Sequence, residues 1–251
     1  MSGHSKWASI KHKKGALDAK RGKIFNRHAR LIEVAARAGG ADINTNVRLR
    51  AEVQAAKAAN MPNDKIDKAV AKGAGLIEGV IYEEAVYEAY GPEGVALMID
   101  TLTDSKNRTV GEIRNILGKH NGHLGEGGSV AWNFTQKGVI AVPAKGYDED
   151  SILEVVLEAG AEDLTTEGDS FEITTDPKDF SAVRDALNAA SITVSHAEVT
   201  RIPGSTVQLD ENTARKVLKL MDILDDHDDV QNVSANFDIS DEIMETLKNE
   251  G

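Results

Sequence analysis

The chain has 251 residues, 41% of them hydrophobic and 4% aromatic, with no cysteine and a formal net charge of −12. That length suits two or three domains with separate cores, and the missing cysteines exclude disulfides, thiolate nucleophiles and cysteine-ligated metals. No apolar run approaches the roughly 18 residues of a membrane span and the N-terminus does not read as a secretory signal, so a cytoplasmic protein is expected.

The charge is segregated. Residues 1–78 hold 16 basic and 7 acidic side chains, net +9, whereas residues 79–251 hold 13 basic and 34 acidic, net −21. Residues 1–22 carry Lys6, Lys11, Lys13, Lys14, Lys20 and Arg21 with little helical periodicity and glycines at 3, 15 and 22. They read as a basic arm that meets a polyanion, since Lys and Arg neutralise phosphates and release condensed counterions. Trp7, with His12 in the same stretch, offers a ring to stack on a base. The plainer alternative is an arm that docks on the chain's own acidic body.

From 23 to 37, Ile24, Phe25, Ala29, Leu31, Ile32, Ala35 and Ala36 mark the apolar face of a helix that Gly39 and Gly40 stop. Lys23, Arg27 and Arg30 lie largely on its other side, at spacings of four and three, where like charges cost a few tenths of a kcal/mol per pair unless an anion relieves them. A second helix is expected over 46–59. A third, capped by Asn63, points Ile66, Ala69 and Val70 inward and closes at Gly73.

Beyond Gly79 the period changes to two. Strands are expected at 83–90 and 95–102 around Gly91-Pro92-Glu93-Gly94, then a helix over 106–119 and a strand at 129–134 with Val130, Trp132 and Phe134 on one face. Next comes strand 138–142, helix 149–159, strands 162–166 and 169–174, helix 177–190 and strand 194–201. This βαββαβ order is that of a ferredoxin-like antiparallel sheet. A strand at 205–209, a helix at 212–226 and a strand at 230–237 remain. The expected class is α+β, with a basic arm and helical domain at 1–79, a discontinuous α/β domain at 80–135 and 203–251, and a ferredoxin-like domain inserted at 136–202.

Three stretches carry a resemblance: Met1 to Lys14 (MSGHSKWASIKHKK); Thr45 to Arg50 with Ala58-Ala59-Asn60-Met61-Pro62; and Tyr90 to Ala96 with Leu102 to Thr109 and Gly128-Ser129-Val130-Ala131-Trp132. Together they resemble the YebC/PmpR family, Ser105 and His123 standing where asparagines are expected. The resemblance implies three domains, the last inserted in the middle one, and a cytoplasmic DNA-binding transcriptional regulator. It also implies an alternative, a ribosome-associated translation factor that binds ribosomal RNA or tRNA and relieves stalling on proline-rich stretches, since mitochondrial relatives are translational activators.

Asp104-Ser105-Lys106-Asn107-Arg108 follows a strand and opens a helix, where free N–H groups attract phosphate and Lys106, Asn107 and Arg108 assist; capping by Asp104 or Ser105 is the plainer reading. Gly122, Gly125, Gly127 and Gly128 lack a following Lys-Ser/Thr and read as a turn or bulge. The seven histidines show no HExxH spacing, and the run Asp222, Asp225, Asp226, His227, Asp228, Asp229 lacks the calcium-loop pattern, so it reads as a solvated helix end, with protein contact as the lesser alternative. No nucleophile–base–orienter set can be assembled. No enzyme activity, cofactor, metal, membrane or small-molecule substrate is expected, and the oligomeric state stays open.

Overall fold

In the computed structural model, which describes residues 18–249, an α+β architecture surrounds three main apolar cores. The first is helical: α1 (Asp18–Gly39), α2 (Val47–Ala58) and α3 (Asn63–Gly73) bury Phe25, Ile32, Leu49, Val53 and Ile66. Asn46 joins α1 to α2. Its Oδ1 accepts the Leu49 N–H at 3.0 Å, while its Nδ2 donates to the carbonyls of Ala35 and Gly40, both at 2.8 Å. Gly73 lets α3 close on α1, because a Cβ there would meet the Glu33 carbonyl oxygen at 2.3 Å. Pro62, not Asn63, occupies the N-cap of α3, and no side chain caps it. Proline's fixed φ suits that entry, so the asparagine becomes the first helical residue.

The first sheet runs in the order β3-β1-β2-β9, antiparallel throughout, from β1 (Glu83–Tyr90), β2 (Ala96–Thr103), β3 (His123–Leu124) and β9 (Val230–Ala235). The β1–β2 connection is a 3-10 turn, Pro92–Gly94, with Glu93 at φ 56° and Gly94 at φ 76°. One face packs on α4 (Lys106–Lys119) and α7 (Glu211–Asp225), burying Leu97, Ile99, Ile113, Leu117, Val217 and Leu220. On the other face Ala96 and Met98 cover Val130. The parallel pair β8 (Val207–Gln208) and β10 (Phe237–Asp238) adds to this core, as does α8 (Asp241–Asn249), a helix the periodicity reading missed.

The second sheet runs β5-β6-β4-β7, all antiparallel, from β4 (Phe134–Pro143), β5 (Ala161–Glu167), β6 (Ser170–Thr175) and β7 (His196–Pro203). With α5 (Glu149–Glu158) and α6 (Phe180–Ala189) packed on it around Ile140, Ile152, Ile173, Val183 and Leu187, this is the ferredoxin-like order. One expected strand is absent. Ala131–Asn133 form a 3-10 turn and β4 starts only at Phe134. The cause is Glu88, whose carboxylate accepts the N–H groups of Gly128, Val130 and Ala131 and so withdraws them from any ladder. Among the described residues no helix is long and apolar enough to cross a membrane.

Candidate nucleic-acid interface

Of the residues read as phosphate contacts, Lys6, Trp7, Lys11, His12, Lys13 and Lys14 lie outside the described residues. Lys20 lies in the first turn of α1, and Arg21 follows it on exposed surface. Further along α1, Lys23, Arg27 and Arg30 were expected to face outward for an anion. They already have anionic partners, and those partners belong to the chain itself.

The partners lie where α7 ends and β9 begins. Helix α7 has no basic residue in its last turn, so its terminal carbonyls need outside donors. Helix α1 supplies them. The Lys23 ammonium lies 2.5 Å from the Asp226 carbonyl oxygen and 3.4 Å from its carboxylate. Arg27 donates to the carbonyls of Asp225 at 3.2 Å and Val230 at 3.1 Å. Arg30 donates to the Asp228 carbonyl and to the Asp229 carboxylate, both at 2.9 Å, and its guanidinium covers the Tyr82 ring 5.0 Å from the centroid. Spacings of four and three on one helix thus match a turn of acidic residues, with the helix dipole adding to the attraction.

Asp229 is the hub of this junction and only 2% exposed, which corrects the reading of the acidic run as a solvated helix end at this residue, Asp222, Asp226 and Asp228 staying exposed. Besides Arg30 it accepts from Arg108 at 2.5 Å and from the Thr109 hydroxyl at 2.8 Å. Burial alone pushes its carboxyl upward, but the hydrogen bonds from Arg108, Thr109 and Arg30 outweigh that and hold it below the ordinary carboxylate range. His227 accepts the Asp229 N–H on Nδ1 at 3.1 Å and faces Glu112 through Nε2 at 2.9 Å. Glu112, His227 and Asp229 therefore bring three potential metal donors together. Yet Arg30 and Arg108 already supply the positive charge that a cation would bring.

At the start of α4, Lys106 pairs with Glu83 at 2.6 Å and Arg108 with Asp104 at 2.9 Å, while Asn107 is exposed. Neither Asp104 nor Ser105 caps the helix. Ser105 is the N-cap residue without a side-chain bond, and its own N–H goes to the Thr103 hydroxyl at 2.9 Å. The pairs differ in how firmly they are made. Arg30 is 21% exposed against a buried acid, whereas Lys23 and Lys106 are about half exposed and pair with open carboxylates. Exposed pairs of that kind are worth about 0–1 kcal/mol and exchange readily for another anion. The helical domain also presents Lys57, Lys65 and Lys68 on exposed surface, where they enter no ion pair among the described residues. Their places at charged positions between the buried Ala56, Ile66 and Ala69 were the available sequence signal.

Comparison with known proteins gives two family-model matches, TACO1/YebC protein N-terminal domain over residues 5–76 and TACO1/YebC second and third domain over residues 82–237. A probable transcriptional regulatory protein of Desulforapulum autotrophicum is 54% identical over 247 residues, covering 98% of this chain and 100% of the relative. One of the same description from Magnetococcus marinus is 56% identical over 248 residues, covering 98% and 99%. The crystal structure of a conserved hypothetical protein from Aquifex aeolicus, 46% identical, superposes with a TM-score of 0.83 over 94% of this chain and 97% of that one.

Proposed function

The chain belongs to the TACO1/YebC family, and from that premise we propose that it is a DNA-binding regulator of transcription that grips the phosphate backbone through its basic N-terminal segment. One observation carries the reading: net +9 over residues 1–78 against −21 over the rest. Such a field steers a polyanion to one end of the molecule and repels it from the other. Lys6, Lys11, Lys13, Lys14, Lys20 and Arg21 make the primary phosphate contacts, with Trp7 and His12 beside them. Lys23, Lys106 and Asn107 extend the surface, the exposed pairs of the two lysines being exchangeable, and Arg108 adds to it with the part of its guanidinium that faces Asp104 while its other end stays on Asp229. Arg27 and Arg30 act instead as the clamp that fixes α1 to the end of α7. The binding is backbone-directed and carries little base readout, and the reading gives the chain no catalytic step.

Fluorescence anisotropy with a labelled duplex tests this. Changing Lys11, Lys13 and Lys14 together to Glu is expected to abolish binding and leave the melting temperature nearly unchanged. Intact binding by that variant overturns the reading.

A further inference from the structure

Trp132 is 77% exposed, and the chain around it is built to keep it so. The Glu88 carboxylate collects the N–H groups of Gly128, Val130 and Ala131 at 2.5, 2.7 and 2.9 Å, and Gly128 adopts φ 86°. Below the turn Val130 is buried. On its far side Asn133 is tied to Ser205 through its amide nitrogen at 3.0 Å and its oxygen at 2.9 Å. The indole N–H donates to the Ser129 carbonyl at 3.0 Å, and the Tyr90 hydroxyl reaches the same oxygen at 3.2 Å. Tyr90 in turn stacks on the exposed ring of His123, with centroids 5.3 Å apart. The result is a ring fixed in direction, its one polar atom satisfied internally and its surface left to water.

An indole that contributes this little to any core has another use. A ligand cannot hydrogen-bond to the committed N–H, so it must use the π-face. A protein partner would need contiguous apolar surface, but the exposed neighbours along the chain are Glu126, Gly127, Gly128, Thr135 and Gln136. A planar base needs only the ring, and holding that ring rigid in advance removes part of the ordering cost of binding.

We propose that Trp132 is a stacking platform for an unpaired base of single-stranded nucleic acid, a second contact remote in sequence from the basic segment. The inference rests on the nucleic-acid-binding reading above and adds to it a strand with accessible bases, as a melted or looped region offers. Trp132 contributes affinity without releasing counterions, so it acts independently of the lysines.

The chain has two tryptophans, so Trp7→Phe leaves Trp132 as the only indole. Titrating that variant with a 16-nucleotide oligo(dA) is expected to quench its fluorescence. Trp132→Ala, in the otherwise unaltered chain, is expected to weaken oligo(dA) binding roughly 5- to 150-fold, from the 1–3 kcal/mol of one base stack. Its salt dependence, its affinity for a blunt duplex and its melting temperature stay unchanged, and Trp132→Phe recovers part of the loss. Absence of quenching together with an unchanged oligo(dA) affinity in Trp132→Ala overturns the proposal and leaves the indole to a protein partner. If the unaltered chain binds neither oligo(dA) nor duplex, the nucleic-acid reading itself falls. If it binds both while Trp132→Ala matches it, this inference alone falls.

Discussion

Where α1 meets the end of α7, Lys23, Arg27, Arg30 and Arg108 converge on residues 225–230, with a buried carboxylate at the centre. Where the second sheet meets the first, the contacts include an Arg201–Asp100 ion pair and a 3.0 Å bond from Asn232 to the Thr200 hydroxyl, with Asn133 and Asn236 both bonded to Ser205 where the chain leaves β7. A cleft of about 350 Å³ lies open beside them, lined among others by Leu31, Val86, Val199 and Gln231. The two central carboxylates also shift in opposite directions. Asp229 is held low by three donors that outweigh its burial. Asp100 is pushed up by burial, which Arg201 only partly offsets. The first junction therefore holds α1 on a buried charge cluster, while the second joins the two sheets through polar contacts that are partly exposed.

Removing the hub is the strongest way to break this contrast. Asp229→Ala strands the guanidinium of Arg30 in a largely buried site and is expected to cost about 3 kcal/mol, a fall in melting temperature of roughly 6–12 °C, measured by calorimetry. A loss below about 1 kcal/mol would show the junction to be ornamental. The pH dependence sharpens the point. A carboxyl held low in the folded state stabilises fully above its unfolded pKa, about 3.9, and loses that contribution as pH falls through the folded value. The stability gap between the native chain and Asp229→Asn should therefore be widest near neutrality and close below pH 4 on urea titration. A gap that widens in acid contradicts the assigned shift. Asp100 runs the other way, so Asp100→Asn should relieve a penalty present near neutrality and absent in acid.

Weaker effects are expected at the second junction. Arg201→Ala should cost about 1–2 kcal/mol, since it leaves the three-quarters-buried Asp100 carboxylate without its partner, while raising amide exchange in β7 with no change in α1. Lys23→Ala should fall within about 0.5 kcal/mol of the native chain, because Asp226 is mostly exposed.

Legibility in the sequence followed the range of the interaction. Helix α4 and strand β1 were legible at their observed bounds, because an amphipathic period is a local signal. The βαββαβ run was legible for the same reason. The clamp was not, since Arg30 and Asp229 stand 199 residues apart and each looks solvated in its own neighbourhood. The false strand at 129–134 shows the converse. Val130, Trp132 and Phe134 alternate as a strand does, but the backbone donors between them had been taken by Glu88, some 40 residues earlier. Helix α8 was within reach: Ile243, Met244 and Leu247 share a face and pack on the first sheet's core.

Phosphate recognition by the N-terminal cations is the central claim, and the salt dependence of duplex affinity tests it most directly. A plot of log affinity against log salt is expected to be steep for the native chain and shallower by about 2.7 when Lys11, Lys13 and Lys14 are changed to Ala, which weakens binding without reversing charge, from roughly 0.9 for each phosphate no longer neutralised. A native slope near zero, or the same slope in both proteins, would contradict it.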